Sequence, residues 1–248
     1  MESPKPYFHP LRTHGGDVVS LYRPHDHVWH KGLMWSLANV SLPDVGSANF
    51  WGGPTYVRGR GYQWLPNDGT TQHRTFDRID ARPEGVVVGG RLDWITQQGD
   101  TWFTEKRSFQ VTAQPDRGAW TLVFTTEFTN RTDSTVTLGS PTTEGRENAG
   151  YGGLFWRGPR SFSGGRAYTA DAVGGDDLMG VREPWLAFAG RHDDTGRAST
   201  LVFVDDPANR GFPTTWFVRS GVYACVCPAP FFREEVPRAY HCRFGTRW

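Results

Sequence analysis

Trp102-Phe103-Thr104-Glu105-Lys106-Arg107-Ser108-Phe109-Gln110-Val111 decides the fold. Phe103, Phe109 and Val111 share its odd positions with Glu105 and Arg107, while Trp102, Thr104, Lys106, Ser108 and Gln110 take the even ones, as on a β-strand, whose side chains alternate between the two faces of a sheet. Val86-Val87-Val88-Gly89-Gly90-Arg91-Leu92-Asp93-Trp94 sets Val86, Val88, Leu92 and Trp94 on one face, and Trp120, Leu122, Phe124 and Phe128 share another. The same pattern predicts strands at Tyr7 to Arg12, Val18 to Tyr22, Thr135 to Leu138, Leu186 to Ala189, Leu201 to Val204, Thr215 to Cys227 and Tyr240 to Phe244. Between these runs stand turn formers: His14-Gly15-Gly16-Asp17, Asn67-Asp68-Gly69, Gln97-Gln98-Gly99-Asp100, Asn130-Arg131-Thr132-Asp133 and Asp193-Asp194-Thr195-Gly196.

At least ten strands, with no alternation of strand and helix, predict an all-β chain: a twisted two-sheet antiparallel β-sandwich. No low-complexity linker or internal repeat divides it, so residues 1–248 are expected to form a single domain. The composition agrees, with 30 glycines, 17 prolines and 11 tryptophans in 248 residues. A net charge of +1 provides no cationic field for nucleic acid or anionic lipid, and neither is expected as a partner. The longest apolar runs, such as Thr200 to Val204, match strands and fall far short of the ~20 residues of a membrane helix. The N-terminal Met1-Glu2-Ser3-Pro4-Lys5-Pro6 lacks the basic and apolar regions of a secretory signal, and three cysteines make no disulfide scaffold, so a cytoplasmic location is expected.

Charge on an apolar face marks the first candidate site. Glu105 and Arg107 share parity with Phe103 and Phe109, which leaves two readings: an ion pair inside the sheet, or a ligand-binding concave face. Arg219 shares parity with Phe217 and Tyr223, and a guanidinium among rings suits a sugar hydroxyl or a carboxylate. In Arg23-Pro24-His25-Asp26-His27-Val28-Trp29-His30 three imidazoles fall within six residues. On a strand His25 and His27 would face one way, and His30 could complete a three-nitrogen metal site; acid-base catalysis, substrate hydrogen bonding and plain packing stay open beside it. Ser140 to Arg160 collects five glycines with Glu144, Arg146, Glu147, Tyr151 and Trp156, the composition of a structured binding loop. Trp51, in Asn49-Phe50-Trp51-Gly52-Gly53-Pro54, is a candidate stacking surface for a sugar ring. Cys225 and Cys227 are read as small buried hydrophobes.

Longer blocks carry a resemblance. Phe8-His9-Pro10-Leu11-Arg12-Thr13, Asp26-His27-Val28-Trp29-His30-Lys31-Gly32, Ser140-Pro141-Thr142-Thr143, Ala149 to Pro159 and Trp216-Phe217-Val218-Arg219 together resemble the PmoA-like family, members of which are labelled methane oxygenase. With no apolar segment of membrane length, the membrane copper chemistry of that label is not expected here. The resemblance implies a place in sugar catabolism, and a strand pattern similar to the galactose-mutarotase-like super-sandwich, in which a histidine acid and a glutamate base open a sugar ring. The corresponding late glutamate does not transfer, because this chain reads Cys225-Val226-Cys227-Pro228 there.

The resulting expectation is a carbohydrate-active protein performing acid-base chemistry of the epimerase, isomerase or lyase type without a cofactor. His27, His30, Glu144 and Glu147 are the candidate catalytic groups. Glu105, Arg107, Arg146, Tyr151, Trp156, Arg219 and Trp51 are the candidate substrate-binding groups. Two alternatives are a noncatalytic carbohydrate-binding module and a metal-dependent enzyme using His25, His27 and His30. His27, His30, Glu144, Arg146, Tyr151 and Arg219 are expected to converge on one cavity.

Overall fold

A computed structural model describes residues 2–229, 234–236 and 241–247. The described chain is built of antiparallel β-strands, with three single-turn 3-10 segments and no α-helix. One layer is a nine-stranded sheet that starts from its edge strand with the run Thr70–Arg82, Gly85–Ile95, Thr101–Gln114 and Ala119–Asn130, each strand hydrogen-bonded to the next. His241–Arg247 joins Ala119–Asn130 to Ala198–Asp205, and the sheet continues through Trp185–Arg191 and Arg166–Tyr168 to Val173–Gly174. The opposing layer is divided. A five-stranded sheet runs Tyr7–Phe8, Leu33–Ser36, Gly153–Arg157, Cys225–Ala229, Thr215–Arg219, beside a four-stranded sheet of Glu234–Val236, Val136–Gly139, Asn39–Leu42 and Gly46–Ala48. The result is an all-β sandwich.

One apolar core joins the layers. Trp94, Phe103, Phe124, Phe128, Phe188 and Phe203 of the large sheet pack with Trp35, Leu138, Leu154, Trp156, Trp216 and Val226 of the other layer. Within that core Glu105 accepts hydrogen bonds from Arg107 Nε (2.7 Å), Arg107 Nη2 (3.0 Å), Trp94 Nε1 (2.6 Å) and Thr126 Oγ1 (2.6 Å). Register explains the set: Glu105 lies opposite Leu92 and Phe128, and Arg107 opposite Thr126, so these groups share the inner face of adjacent strands. The pair therefore acts inside the sandwich, and its placement as a substrate-binding surface is corrected.

The five-stranded sheet has a second apolar face. Met34, Phe155, Phe217, Cys225 and Cys227 alternate with the core residues and form a separate cluster with Ala38 and Trp51. Period-two alternation thus gives this sheet two buried sides. Its far side carries the candidate site.

Several sequence expectations shift. Thr215 to Cys227 is a hairpin of two strands, Thr215–Arg219 and Cys225–Ala229, because Ser220-Gly221-Val222-Tyr223 turns the chain. Only Tyr7–Phe8 of the expected Tyr7 to Arg12 strand is extended in a sheet, and Val18 to Tyr22 contributes isolated bridges. The Gly-rich stretch contains the strand Gly153–Arg157. Asn67-Asp68-Gly69 makes no hairpin, since Asp68 forms a parallel bridge with Asn49. No helix among the described residues is long and apolar enough to cross a membrane.

Candidate functional site

A cavity of about 410 Å³ opens on the far side of the five-stranded sheet. Phe155, Phe217 and Arg219 supply its floor from sheet strands and Tyr62 comes from the short hairpin strand Gly61–Gln63, while His27, Trp29, His30, Trp51, Trp64, Arg146, Tyr151 and Tyr223 come from connections around it. Of the candidate residues, His27, His30, Arg146, Tyr151, Arg219 and Trp51 lie together on this lining; among the described residues, no carboxylate does.

The loop that carries Trp51 is shaped by Asn49. Its Oδ1 accepts the backbone N–H groups of Trp51 and Gly52, both at 3.0 Å, and its Nδ2 donates to Gly53 O. Gly52 and Gly53 adopt φ of +88° and +70°, and a Cβ on Gly53 would fall 2.5 Å from the Trp29 indole. Glycine is needed here for both backbone freedom and the close approach of Trp29. From behind, buried Lys5 donates to the carbonyls of Trp51 (3.0 Å) and Glu2 (3.2 Å), and burial pulls its ammonium down to about 7.

The histidine segment is a pair of consecutive turns, closed by His27 N–H to Pro24 O and His30 N–H to His27 O. The expected strand geometry is therefore corrected: His25 is exposed and contacts Arg160, while His27 and His30 stack with ring centroids 4.8 Å apart. Among the described residues, the cation-capable grouping is a different one, Asp17, His192 and Asp194, where Arg197 already holds both oxygens of Asp17.

Each cavity imidazole has a distinct partner. Arg157, fully buried, donates from Nη1 to His30 Nδ1 at 3.0 Å. Because a guanidinium can only donate, that nitrogen carries the lone pair, and neutral His30 holds its proton on Nε2. Burial, then the Arg157 charge, pushes His30 well below the usual imidazole range. His27 Nδ1 faces Asp26 Oδ2 at 3.4 Å, a charge contact without a well-formed hydrogen bond. Burial also lowers His27, with Asp26 opposing it. Asp26 in turn contacts Arg160 at 3.2 Å and Arg157 at 3.9 Å. The Arg157 guanidinium lies 3.8 Å over the Tyr223 ring, and its Nε and Nη2 make no hydrogen bond.

At the mouth, Arg146 donates from Nη1 to Tyr62 Oη, which is 3.1 Å from Tyr151 Oη. Burial and then Tyr62 raise the Tyr151 phenol well above its normal range. Arg219 is braced from behind: its Nε donates to Asp176 Oδ2 at 3.0 Å, while Asp176 Oδ1 accepts the backbone N–H groups of Ser220 and Gly221.

Three further candidates lie elsewhere. Trp156 is fully buried in the core among Phe162, Phe188 and Phe203, its indole donating to Val19 O; strand parity gives the cavity Phe155 instead. Glu144 stands 3.9 Å from Arg58 and Glu147 is exposed, because the turn that brings Arg146 to the cavity directs its neighbours outward. Conversely, Trp29, Tyr62, Trp64, Phe155 and the buried Arg157 and Lys5 were not among the candidates. Trp64 sat in an aromatic turn segment that could have flagged it; Lys5 and Arg157 belong to no pattern.

No curated protein and no solved structure matches this chain. The family model that matches residues 1–241 is the Family of unknown function (DUF6807), and this overturns the resemblance to the PmoA-like family. By that match, the chain belongs to the Family of unknown function (DUF6807).

Proposed function

We propose that this protein is carbohydrate-active and performs acid-base chemistry on a sugar, of the epimerase, isomerase or lyase type. The observation that carries the reading is the pair of stacked imidazoles, His27 and His30, on an aromatic cavity wall, each held by a different charged partner. Aromatic faces suit the C–H faces of a sugar ring, and a few convergent donors suit its hydroxyls. A ring with Nδ1 turned to a carboxylate offers Nε2 as a base, so His27 is the proton acceptor. His30, neutral with Nε2–H, is a hydrogen-bond donor that polarises a carbonyl or ring oxygen. The buried, reduced thiols of Cys225 and Cys227 fit a reducing cytoplasm.

A noncatalytic carbohydrate-binding module is the second reading, favoured by the lack of a lining carboxylate among the described residues. The two separate in deuterium oxide. With a panel of aldoses, ketoses and sugar acids, NMR of the sugar in the presence of the protein should show exchange of a carbon-bound proton or interconversion of isomers. His27→Gln should slow it by about a hundredfold or more, the scale of general-base catalysis. Sugars that bind without exchange or interconversion would establish the module instead.

A further inference from the structure

The cavity has a charge bias that a neutral sugar does not require. Arg146 and Arg219 both line it, and no lining carboxylate among the described residues offsets them. The Arg146 guanidinium is engaged by Tyr62, through a hydrogen bond and the ring face 5.0 Å away, and forms no ion pair among the described residues. Arg219 does have an anionic partner, but Asp176, which is not on the cavity lining, takes only Nε. Asp176 is itself held by two backbone N–H groups. Among the described residues, neither terminal nitrogen of Arg219 has a hydrogen-bond partner. Behind the wall, Arg157 adds a third guanidinium, this one fully buried.

We propose that the cavity takes an anionic sugar, whose carboxylate or phosphate is held by the guanidinium groups of Arg146 and Arg219. The inference rests on the carbohydrate reading and specifies its substrate class. Terminal guanidinium nitrogens present parallel donors that match the paired oxygens of either anion. Arg219 is pre-positioned for this by Asp176, which fixes the planar group through Nε, so little side-chain freedom is lost on binding. The aromatic wall of Trp29, Trp51 and Trp64 then faces the rest of the ring.

The test is calorimetric binding of the full chain to glucuronate, galacturonate, glucose 6-phosphate, glucose, galactose, acetate and inorganic phosphate. An anionic sugar is expected to bind at least about tenfold more tightly than its neutral parent, and more weakly as salt rises. The preferred anion identifies the group as carboxylate or phosphate. Arg146→Gln and Arg219→Gln should each remove most of that preference. Neutral and anionic sugars binding alike would overturn the proposal and leave the carbohydrate reading in place. Acetate or inorganic phosphate binding as tightly as the anionic sugars would keep the anion site and overturn the sugar. No binding by any of the panel would overturn both.

Discussion

Arg157 Nη1 stands 3.0 Å from His30 Nδ1, with both side chains buried, and this one contact fixes which nitrogen of His30 can face a ligand. Nitrogen-15 NMR should find His30 still neutral, as the Nε2–H tautomer, at ~pH 6.5, where a free imidazole is half protonated. The folded pKa lies below the unfolded one, so the unfolded chain takes up protons that the folded chain refuses as pH falls below ~6.5. The urea midpoint should therefore drop on acidification, and drop less steeply in His30→Asn. A His30 that titrates near the free value with its proton on Nδ1 would contradict the assignment.

Lys5 gives the opposite side of the pH scale. Burial lowers it to about 7, whereas an unfolded lysine titrates at ~10.4. Between these values the unfolded chain binds the extra proton, so stability should rise as pH increases from 7 toward 10.4. Denaturant titrations should show that rise in the parent chain and a flatter profile in Lys5→Met. A parallel pair of profiles would place the Lys5 ammonium in a solvated, ordinary environment.

Glu105 carries four donor contacts in a sealed core. Glu105→Gln presents an NH2 group to donors and leaves the Arg107 charge unpaired, which should cost about 3–5 kcal/mol of unfolding free energy. Replacing both residues with apolar groups, Glu105→Leu with Arg107→Met, should cost less than Glu105→Gln alone, since no charge is then stranded. Chemical denaturation measures both. A single variant within ~0.5 kcal/mol of the parent would show that the pair contributes nothing to the fold.

Strand parity made much of this legible and also marks where reading stopped. Phe217 and Arg219 could be assigned to one face because Trp216-Phe217-Val218-Arg219 was already recognised as a strand. Trp156 was misplaced because Gly150-Tyr151-Gly152-Gly153 made its segment look like a loop; as a strand, Gly153–Arg157 must alternate, sending Trp156 inward and Phe155 to the cavity. Glu105 and Arg107 were seen on an apolar face, but their partners Trp94 and Thr126 follow from register between strands, which a single strand does not encode. Lys5 and Arg157 escaped because their roles depend on contacts with residues more than forty positions away.

Gly53 is where backbone and site meet. Its φ of +70° is one that alanine adopts only at a cost, about 1–2 kcal/mol, and its missing Cβ leaves the space that the Trp29 indole occupies. Overpacking adds roughly 1–3 kcal/mol, so with the backbone cost Gly53→Ala should destabilise the chain by ~2–5 kcal/mol. The damage should reach the cavity, since Trp29 lines it and contacts His27, His30 and Trp64. Tryptophan fluorescence should shift and any bound sugar should be held more weakly. If the clash is the cause, Trp29→Leu should relieve it: the double variant should lose less stability than the two single losses added together, by on the order of 1 kcal/mol or more. Strictly additive losses would mean that Gly53 is required for its backbone conformation alone, and that the packing of Trp29 against it does not shape the wall.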